Sequence, residues 1–262
     1  SNWISKEKIL TTNVWSSELA KLASNAMLAQ RISSINSLSA LCEKTGANIE
    51  ELSKAIGMDH RIGSKFLKAS VGFGGSCFQK DILNLVYLSK YYGLDEVAEY
   101  WHQVVKINNY QKNRFAQKII DGLGGDVNGK RIAILGWAFK ANTNDSRESP
   151  AISVASRLLD AGAILHVYDP MVQEEKIRKD LEEAMSTNSN FQEAHSIPFE
   201  RLKIFSSINK VIVETDTIAI LTEWEDFKNC NWNTLLKGMP NNFLIFGFDA
   251  PGVVNVLGLN KI

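Results

Sequence analysis

The strongest constraint on the fold is a change of period at Gly122–Lys130, "GLGGDVNGK". Upstream of it the pattern is helical and no strand is marked. Trp15-Ser16-Ser17-Glu18 supplies a capping serine, and the stretch from there to about Lys44 contains neither proline nor glycine, which predicts roughly 40 Å of helix. Thr45-Gly46 ends it. "NIEELSKAIG" predicts a short helix capped by Asn48 and stopped at Gly57. Asp81–Tyr92 and Asp95–Asp121 read as two more helices.

Downstream the period shortens. Arg131–Trp137 is a short buried strand by composition. Ser149 with Pro150 behind it opens a helix that runs to Gly162, and Ala163–Pro170 is the next strand. A strand, a helix and a strand joined by short links form a βαβ unit, hence a parallel sheet. Thr217–Trp224 and Phe243–Phe248 add strands, preceded by helical "SINKVIVET" and "NWNTLLKGM". Ser186–Pro198 is polar and reads as a surface excursion. The expected class is α followed by a Rossmann-like parallel α/β fold, divided as residues 1–124 and 125–262.

Composition excludes several functions. The 29 basic residues match the 29 acidic ones, so neither nucleic acid nor an anionic membrane is indicated as a partner. No apolar run approaches the roughly 20 residues that span a bilayer, and the start "SNWISKEKIL" has no leader-like apolar core. Three scattered cysteines are too few for a disulfide framework, which points to a reducing, cytoplasmic setting. The four histidines show no ligand spacing, so no metal site is expected.

Cys77 is the most suggestive residue. It follows "GFGGS" and precedes an amphipathic helix. With Ser76 as the helix cap, Cys77 would lie in the first turn, where unpaired N–H groups and the helix dipole favour the nucleophilic thiolate. Lys80 adds positive charge one turn on. Gly72, Gly74 and Gly75 would let a ligand approach the backbone. The alternative, a small packed hydrophobe behind a glycine turn, stays open on these residues alone. Cys42 and Cys230 read as structural.

Lys21 and Asn25 are spaced i, i+4 and share a helix face. Arg61, Lys65 and Lys68 form a basic loop suited to an anion. Phe139, Lys140 and Arg147 follow the first strand, where open α/β sheets bind ligands. "GLGGD" is not a dinucleotide fingerprint, because it precedes the strand instead of following it. Solvated charge is the competing reading for all of these residues.

Three long blocks go further. "SSELAKLASNAMLAQRISSINSLSALCEKTGA", "AIGMDHRIGSKFLKASVGFGGSCFQKD" and "ILGWAFKANTNDSRESPAI" closely resemble the UDP-glucose 6-dehydrogenases of the animal-like type, and the likeness runs from about Trp3 to beyond Trp224. That family joins an NAD-binding Rossmann domain, a central helical dimerisation region and a UDP-sugar-binding domain. The present sequence resembles the last two, without the glycine fingerprint, Glu and Thr of the first.

The resemblance implies two NAD-dependent hydride transfers that take UDP-glucose to UDP-glucuronate. Cys77 would be the nucleophile, forming a thiohemiacetal and then a thioester that water hydrolyses. Lys21 would stabilise the C6 oxyanion or relay a proton, with Asn25 and Asp81 orienting it and the water. Phe66, Lys68, Ala69, Ser70, Val71, Gly72, Phe73 and Gly74 would wrap the UDP-sugar, with Phe139 and Lys140 also touching it. Arg61 would reach the substrate of a partner subunit in a homodimer or larger homo-oligomer. Cys77, Phe78, Gln79, Lys80 and Arg147 would contact NAD. The family's Phe-Asp-Gly-Arg after the last strand is here "FDAPGVVN", which puts Pro251 where a substrate-binding Arg stands. Two competing expectations remain: a non-catalytic dimerising UDP-sugar-binding fragment that does not turn over alone, and a dehydrogenase of an N-acetylated UDP-sugar.

Overall fold

The computed structural model describes residues 3–187, 199–237, 244–247 and 256–257. Helices α1 (Val14–Thr45), α2 (Ile49–Gly57), α3 (Phe78–Tyr91) and α4 (Asp95–Gly122) come first, and no described residue before Arg131 is in a strand. Helix α1 begins earlier than the serines suggest. Asn13 is its cap, accepting from the Ser16 N–H at 2.8 Å, which leaves Ser16 and Ser17 inside the first turn. At the other end Gly46 takes the left-handed conformation at φ 75°. Asn48 caps α2 as expected, accepting from the amides of Glu50 and Glu51.

The buried face of α1 is built from small residues, among them Ala26, Ala29, Ser33 and Ser39. That smoothness lets α3 and α4 pack closely against it. Ala26, Ala29, Phe73, Ile82, Val104 and Val105 close the smaller of two apolar clusters.

Strands β1 (Arg131–Leu135), β2 (Ile164–Tyr168), β3 (Leu202–Ile204), β4 (Thr217–Ile220), β5 (Leu244–Gly247) and β6 (Val256–Leu257) form one parallel sheet in the order β3-β2-β1-β4-β5-β6. Arg131 pairs with Ile164 and Ile132 with Thr217, so β1 is central. The order of strands reverses between β1 and β4, and open α/β sheets bind ligands beyond the carboxyl ends of such a pair. Ser149 caps α5 (Pro150–Asp160), accepting from the Ala151 N–H at 3.3 Å. Helix α6 (Glu174–Thr187) and β3 lie outside the elements that the sequence predicts. The row Ile177, Leu181 and Met185, spaced four apart and all buried, is the signal for α6. β3 has three residues and no period to read. Helices α7 (Ile208–Val211), α8 (Glu225–Lys228) and α9 (Trp232–Leu235) are single turns. The expected excursion after Thr187 and the "FDAPGVVN" segment lie outside the described residues.

The larger core contains Ile132, Ile134, Leu158, Leu165 and Ile218, each fully buried and each worth about 1.5–3 kcal/mol. It also takes in Phe115 and Ile119 of α4, Ile35 of α1, and Ala69 and Val71. The apolar packing therefore crosses the expected boundary at residue 124, with α4 serving both sides.

Candidate active site and its cleft

From Phe66 to Phe73 the segment is neither helix nor strand, and its side chains alternate between exposed or half-exposed and buried. Leu67, Ala69, Val71 and Phe73 are buried, while Phe66 and Lys68 are exposed and Ser70 and Gly72 half-exposed. Of the residues expected to wrap a UDP-sugar, then, Ala69, Val71 and Phe73 give their side chains to the core and leave only backbone for a ligand.

Buried amides on α1 and α4 hold this segment in place. Asn36 accepts from the Ser70 N–H at 2.8 Å, and Gln111 donates to the Ser70 carbonyl at 2.6 Å. The Asn108 carboxamide accepts from the Phe73 N–H at 2.8 Å and donates to the Phe73 carbonyl at 3.0 Å, as a neighbouring strand would. Arg31 of α1 donates to the carbonyls of Ile62, Gly63 and Lys65. None of these four was singled out from sequence. A polar residue on a helix face that must be buried is the signal that could have found Asn36, Asn108 and Gln111.

The glycines also make room for the protein's own groups. A Cβ on Gly74 would sit 2.6 Å from the Glu148 carbonyl oxygen and 2.9 Å from Cβ of Phe139, and one on Gly75 would press on the Phe139 ring at 3.0 Å. At Gly72 it would meet Asn108 Oδ1 at 2.8 Å. The space next to these glycines is occupied by the protein itself. Gly75 also donates its N–H to the Arg147 carbonyl at 2.8 Å, at a φ of 86° that suits glycine. Lys68 reaches Glu223 at 2.6 Å, just past β4. The Lys65–Ser76 segment thus lies over the carboxyl ends of β1 and β4, where the strand order reverses. Phe139 is half-buried there, and exposed Lys140 carries its ammonium 5.4 Å from the centre of the Phe139 ring.

Helix α3 opens at this point. Ser76 is not its cap. Cys77 occupies the cap position with no side-chain bond to the helix, and the Ser76 hydroxyl lies 3.8 Å from Cys77 Sγ. Cys77 is exposed, unlike Cys42, which is buried in α1. Its carbonyl accepts the Asp81 N–H at 2.9 Å, so Cys77 and Asp81 stand one helical turn apart on one face.

The Asp81 carboxylate is buried, and a single oxygen, Oδ2, accepts from Lys21 Nζ at 2.5 Å and from Asn25 Nδ2 at 2.5 Å. Burial pushes this carboxyl up, but the bonds from Lys21 and Asn25 and the charges of Lys21 and Lys80 outweigh it and leave it below the usual carboxylate range. Lys21, Asn25 and Asp81 are therefore one cluster, a turn away from an exposed thiol.

Gln79, Lys80, Lys112, Arg147 and Ser149 line an open cleft of about 1150 Å³ beside α3. The Arg147 guanidinium donates to both oxygens of Asp145, which holds it above its ordinary value, and Cys77 adds a smaller push in the same direction. Of the expected cofactor residues, Gln79, Lys80 and Arg147 line this cleft and carry donors of the kind a diphosphate takes, beside acidic Glu148, Asp160, Asp180 and Glu183. Arg61 stands apart from this site. It is exposed and folded back on Asp59, with its terminal nitrogen 2.6 Å from Oδ2.

The chain is similar to known proteins along most of its length. The UDP-glucose 6-dehydrogenase of Drosophila melanogaster is 53% identical over 245 residues, covering 94% of this chain and 50% of that protein. UDP-glucose 6-dehydrogenase 1 of Arabidopsis thaliana is 48% identical over 271 residues, covering all of this chain and 55% of that protein. The chain spans about half the length of the curated relatives it matches. A solved UDP-glucose dehydrogenase from Pyrobaculum islandicum superposes with a TM-score of 0.73 at 27% identity, over 94% of this chain and 51% of that one. The central domain of the UDP-glucose/GDP-mannose dehydrogenase family matches residues 15–110, and the UDP-binding domain of the same family matches residues 133–253. With two consecutive domains of one family accounting for most of its length, the chain belongs to the UDP-glucose/GDP-mannose dehydrogenase family.

Proposed function

We propose that this chain carries the nucleophile and the UDP-sugar site of an NAD-dependent UDP-glucose 6-dehydrogenase, which oxidises UDP-glucose to UDP-glucuronate. One observation supports this above the others: exposed Cys77 lies one turn from a buried Asp81 that binds both Lys21 and Asn25. In this reading the C6 alcohol first loses a hydride and its hydroxyl proton to become the aldehyde. The Cys77 sulfur then attacks that carbon, and the thiol proton passes to the thiohemiacetal oxygen. Loss of a second hydride from C6, with the hydroxyl proton relayed through Lys21 to water, gives the thioester, and water then releases the carboxylate and restores the thiol. Lys21 steadies the oxygen that becomes anionic, and Asp81 and Asn25 fix its direction. NAD, when bound, accepts the hydride, and Gln79, Lys80 and Arg147 would hold it on the cleft side.

Phe66, Lys68, Ser70, Phe139 and Lys140 offer the face for the UDP-sugar above β1 and β4. Residues 1–124 act as the dimerising part and residues 125–262 as the UDP-binding part. Exposed Trp15, Tyr87, Tyr91, Tyr92 and Tyr100 on the first part favour a homodimer, from which Arg61 would serve the partner's site. A free exposed thiol suits a cytoplasmic setting. No helix among the described residues is long and apolar enough to cross a membrane.

Titration calorimetry of the 262-residue chain with UDP-glucose, UDP-glucuronate and UDP-N-acetylglucosamine tests the reading, together with iodoacetamide labelling mapped by mass spectrometry. The expected result is binding of the first two, weakening by Lys140→Ala, and protection of Cys77 by UDP-glucose. Absence of binding rejects the reading, and preference for the N-acetylated sugar moves the substrate to that class.

A further inference from the structure

In dinucleotide-binding sheets of this strand order, an acid at the end of the second strand holds a ribose hydroxyl. Asp169 stands at that place, directly after β2, but its oxygens are already engaged. Oδ2 accepts from the Trp137 N–H at 2.6 Å, the Ala138 N–H at 3.0 Å and the Trp224 indole at 3.2 Å. Oδ1 accepts from the N–H groups of Met171 at 2.8 Å and Val172 at 2.9 Å. All five partners are donors, which suits an acceptor-only carboxylate, and the residue is only 7% exposed. No ribose can compete there.

The partners come from both sides of the point where strand order reverses. Trp137 and Ala138 lead directly into Phe139 and Lys140. Trp224 follows Glu223, which holds Lys68. Thr222 closes the arrangement by donating its hydroxyl to the Ala138 carbonyl at 2.7 Å. Ala138 is thereby gripped by Asp169 at its amide and by Thr222 at its carbonyl, and the loops after β1 and β4 are locked to one another.

We propose that Asp169 is the positioning residue of the strand-end site: it sets the spacing between Lys140 and the Glu223–Lys68 pair, and so the affinity for the uridine diphosphate, without touching the ligand. This rests on the UDP-sugar reading above.

The test is calorimetric titration of the 262-residue chain with UDP, well below the Tm of every variant. Asp169→Asn turns one acceptor oxygen into an NH2 facing donors, and UDP affinity is expected to fall about tenfold. Trp224→Phe removes one of the five bonds and the pyrrole half of the ring while keeping an aromatic side chain, with an expected loss of about threefold, and it decides the matter if Asp169→Asn does not fold. Ile132→Val, buried near the amino end of β1 where it pairs with Thr217, the first residue of β4, serves as the control: it lowers Tm and leaves UDP affinity unchanged. If the Asp169 and Trp224 variants lose Tm as the control does while binding UDP as tightly as the parent, the inference is overturned. If the parent itself does not bind UDP, the proposed function fails and takes this inference with it.

Discussion

Lys21 and Asp81 lie 60 positions apart in the chain, yet the Lys21 ammonium meets Oδ2 of Asp81 at 2.5 Å. The pair ties α1 to the first turn of α3 beside Cys77. Asp81 is buried whereas the Lys21 side chain is 59% exposed, so solvent screens one end of the pair. Asp81→Asn keeps the volume and removes the charge. The expected stability loss is about 1–2 kcal/mol by urea unfolding near pH 7. Because the folded carboxyl lies below its ordinary value of 3.8, the Asp81 contribution is complete above that pH and disappears as pH falls through the lower folded value. The variant should therefore converge with the parent in acid. In NADH formation from UDP-glucose by a dehydrogenase in which this sequence is joined to an NAD-binding domain, the proposed role predicts a fall in kcat of about 100-fold with KM little changed. A variant with the parent's kcat would remove Asp81 from the chemistry.

Gly74 tests how the two halves of the site are joined. Gly74→Ala would place a methyl 2.6 Å from the Glu148 carbonyl oxygen and 3.0 Å from Cα of Ser149, and backbone cannot swing aside as a side chain can. We expect a cost of about 1–3 kcal/mol and a shift of the glycine segment away from the loop after β1. Thermal melts and UDP titration should both respond. A melt unchanged from the parent would mean that the segment and that loop are not in contact in solution.

The sequence made some of this legible and hid the rest for identifiable reasons. Helix limits at Gly46, Asn48 and Ser149 were readable because each depends on a cap formed within a few residues. The Lys21–Asn25 face was readable from helical spacing alone. Asp81 as their partner entered only through family likeness, since no local rule joins residues 60 apart. The packing role of the glycines is not legible in "GFGG", which specifies an absence of side chains and not what lies beside them, and the groups that do, Asn108, Glu148 and Phe139, come from remote segments. The Ser76 cap failed on backbone geometry: Cys77 takes the cap position at φ −94° and ψ −49°.

Asn108 is expected to control the shape of the segment before Cys77. Its carboxamide satisfies both backbone groups of Phe73 and is fully buried. Asn108→Leu fills a similar volume but leaves the Phe73 N–H and carbonyl without partners in a dry site. Each buried orphan costs about 1–3 kcal/mol, so the loss exceeds that of an ordinary core substitution. Hydrogen exchange should show the Phe73 amide losing protection before those in the middle of α4. Unchanged protection at Phe73 would show that another group holds the segment.

His166 on β2 makes stability depend on mild acid. Both ring nitrogens are buried, neither has a hydrogen-bond partner of good geometry among the described residues, and the ring lies against Phe205 with centres 4.9 Å apart. Burial depresses its affinity for a proton, the charges of Lys203 and Arg131 add to this, and the Val211 backbone and Glu214 oppose it. The unfolded chain therefore binds the proton more tightly. Stability is complete above the ordinary value of 6.5 and declines as pH falls below it. His166→Leu should flatten the dependence of Tm on pH between about 7 and 5, the window set by the unperturbed histidine. An equal slope in parent and variant would assign the acid sensitivity elsewhere.

Lys112 presents the opposite case, a cation kept where it costs stability. It is 4% exposed, its stem packs beside Gly72, and among the described residues it has no hydrogen-bonding or ion-pair partner at contact distance. Burial pushes its ammonium below the ordinary value of 10.5, and the charge of Glu148 only partly offsets this. Between the folded value and 10.5 the unfolded chain holds more protons, so the parent gains stability as pH rises through that window. Lys112→Met retains the length and removes the charge. Its Tm is expected above the parent's near neutral pH, with the gap closing in alkali as the parent's lysine loses its proton. A lower Tm for the variant at neutral pH would mean that attraction to Glu148 outweighs burial and that Lys112 is a net brace for the loop before Ser149.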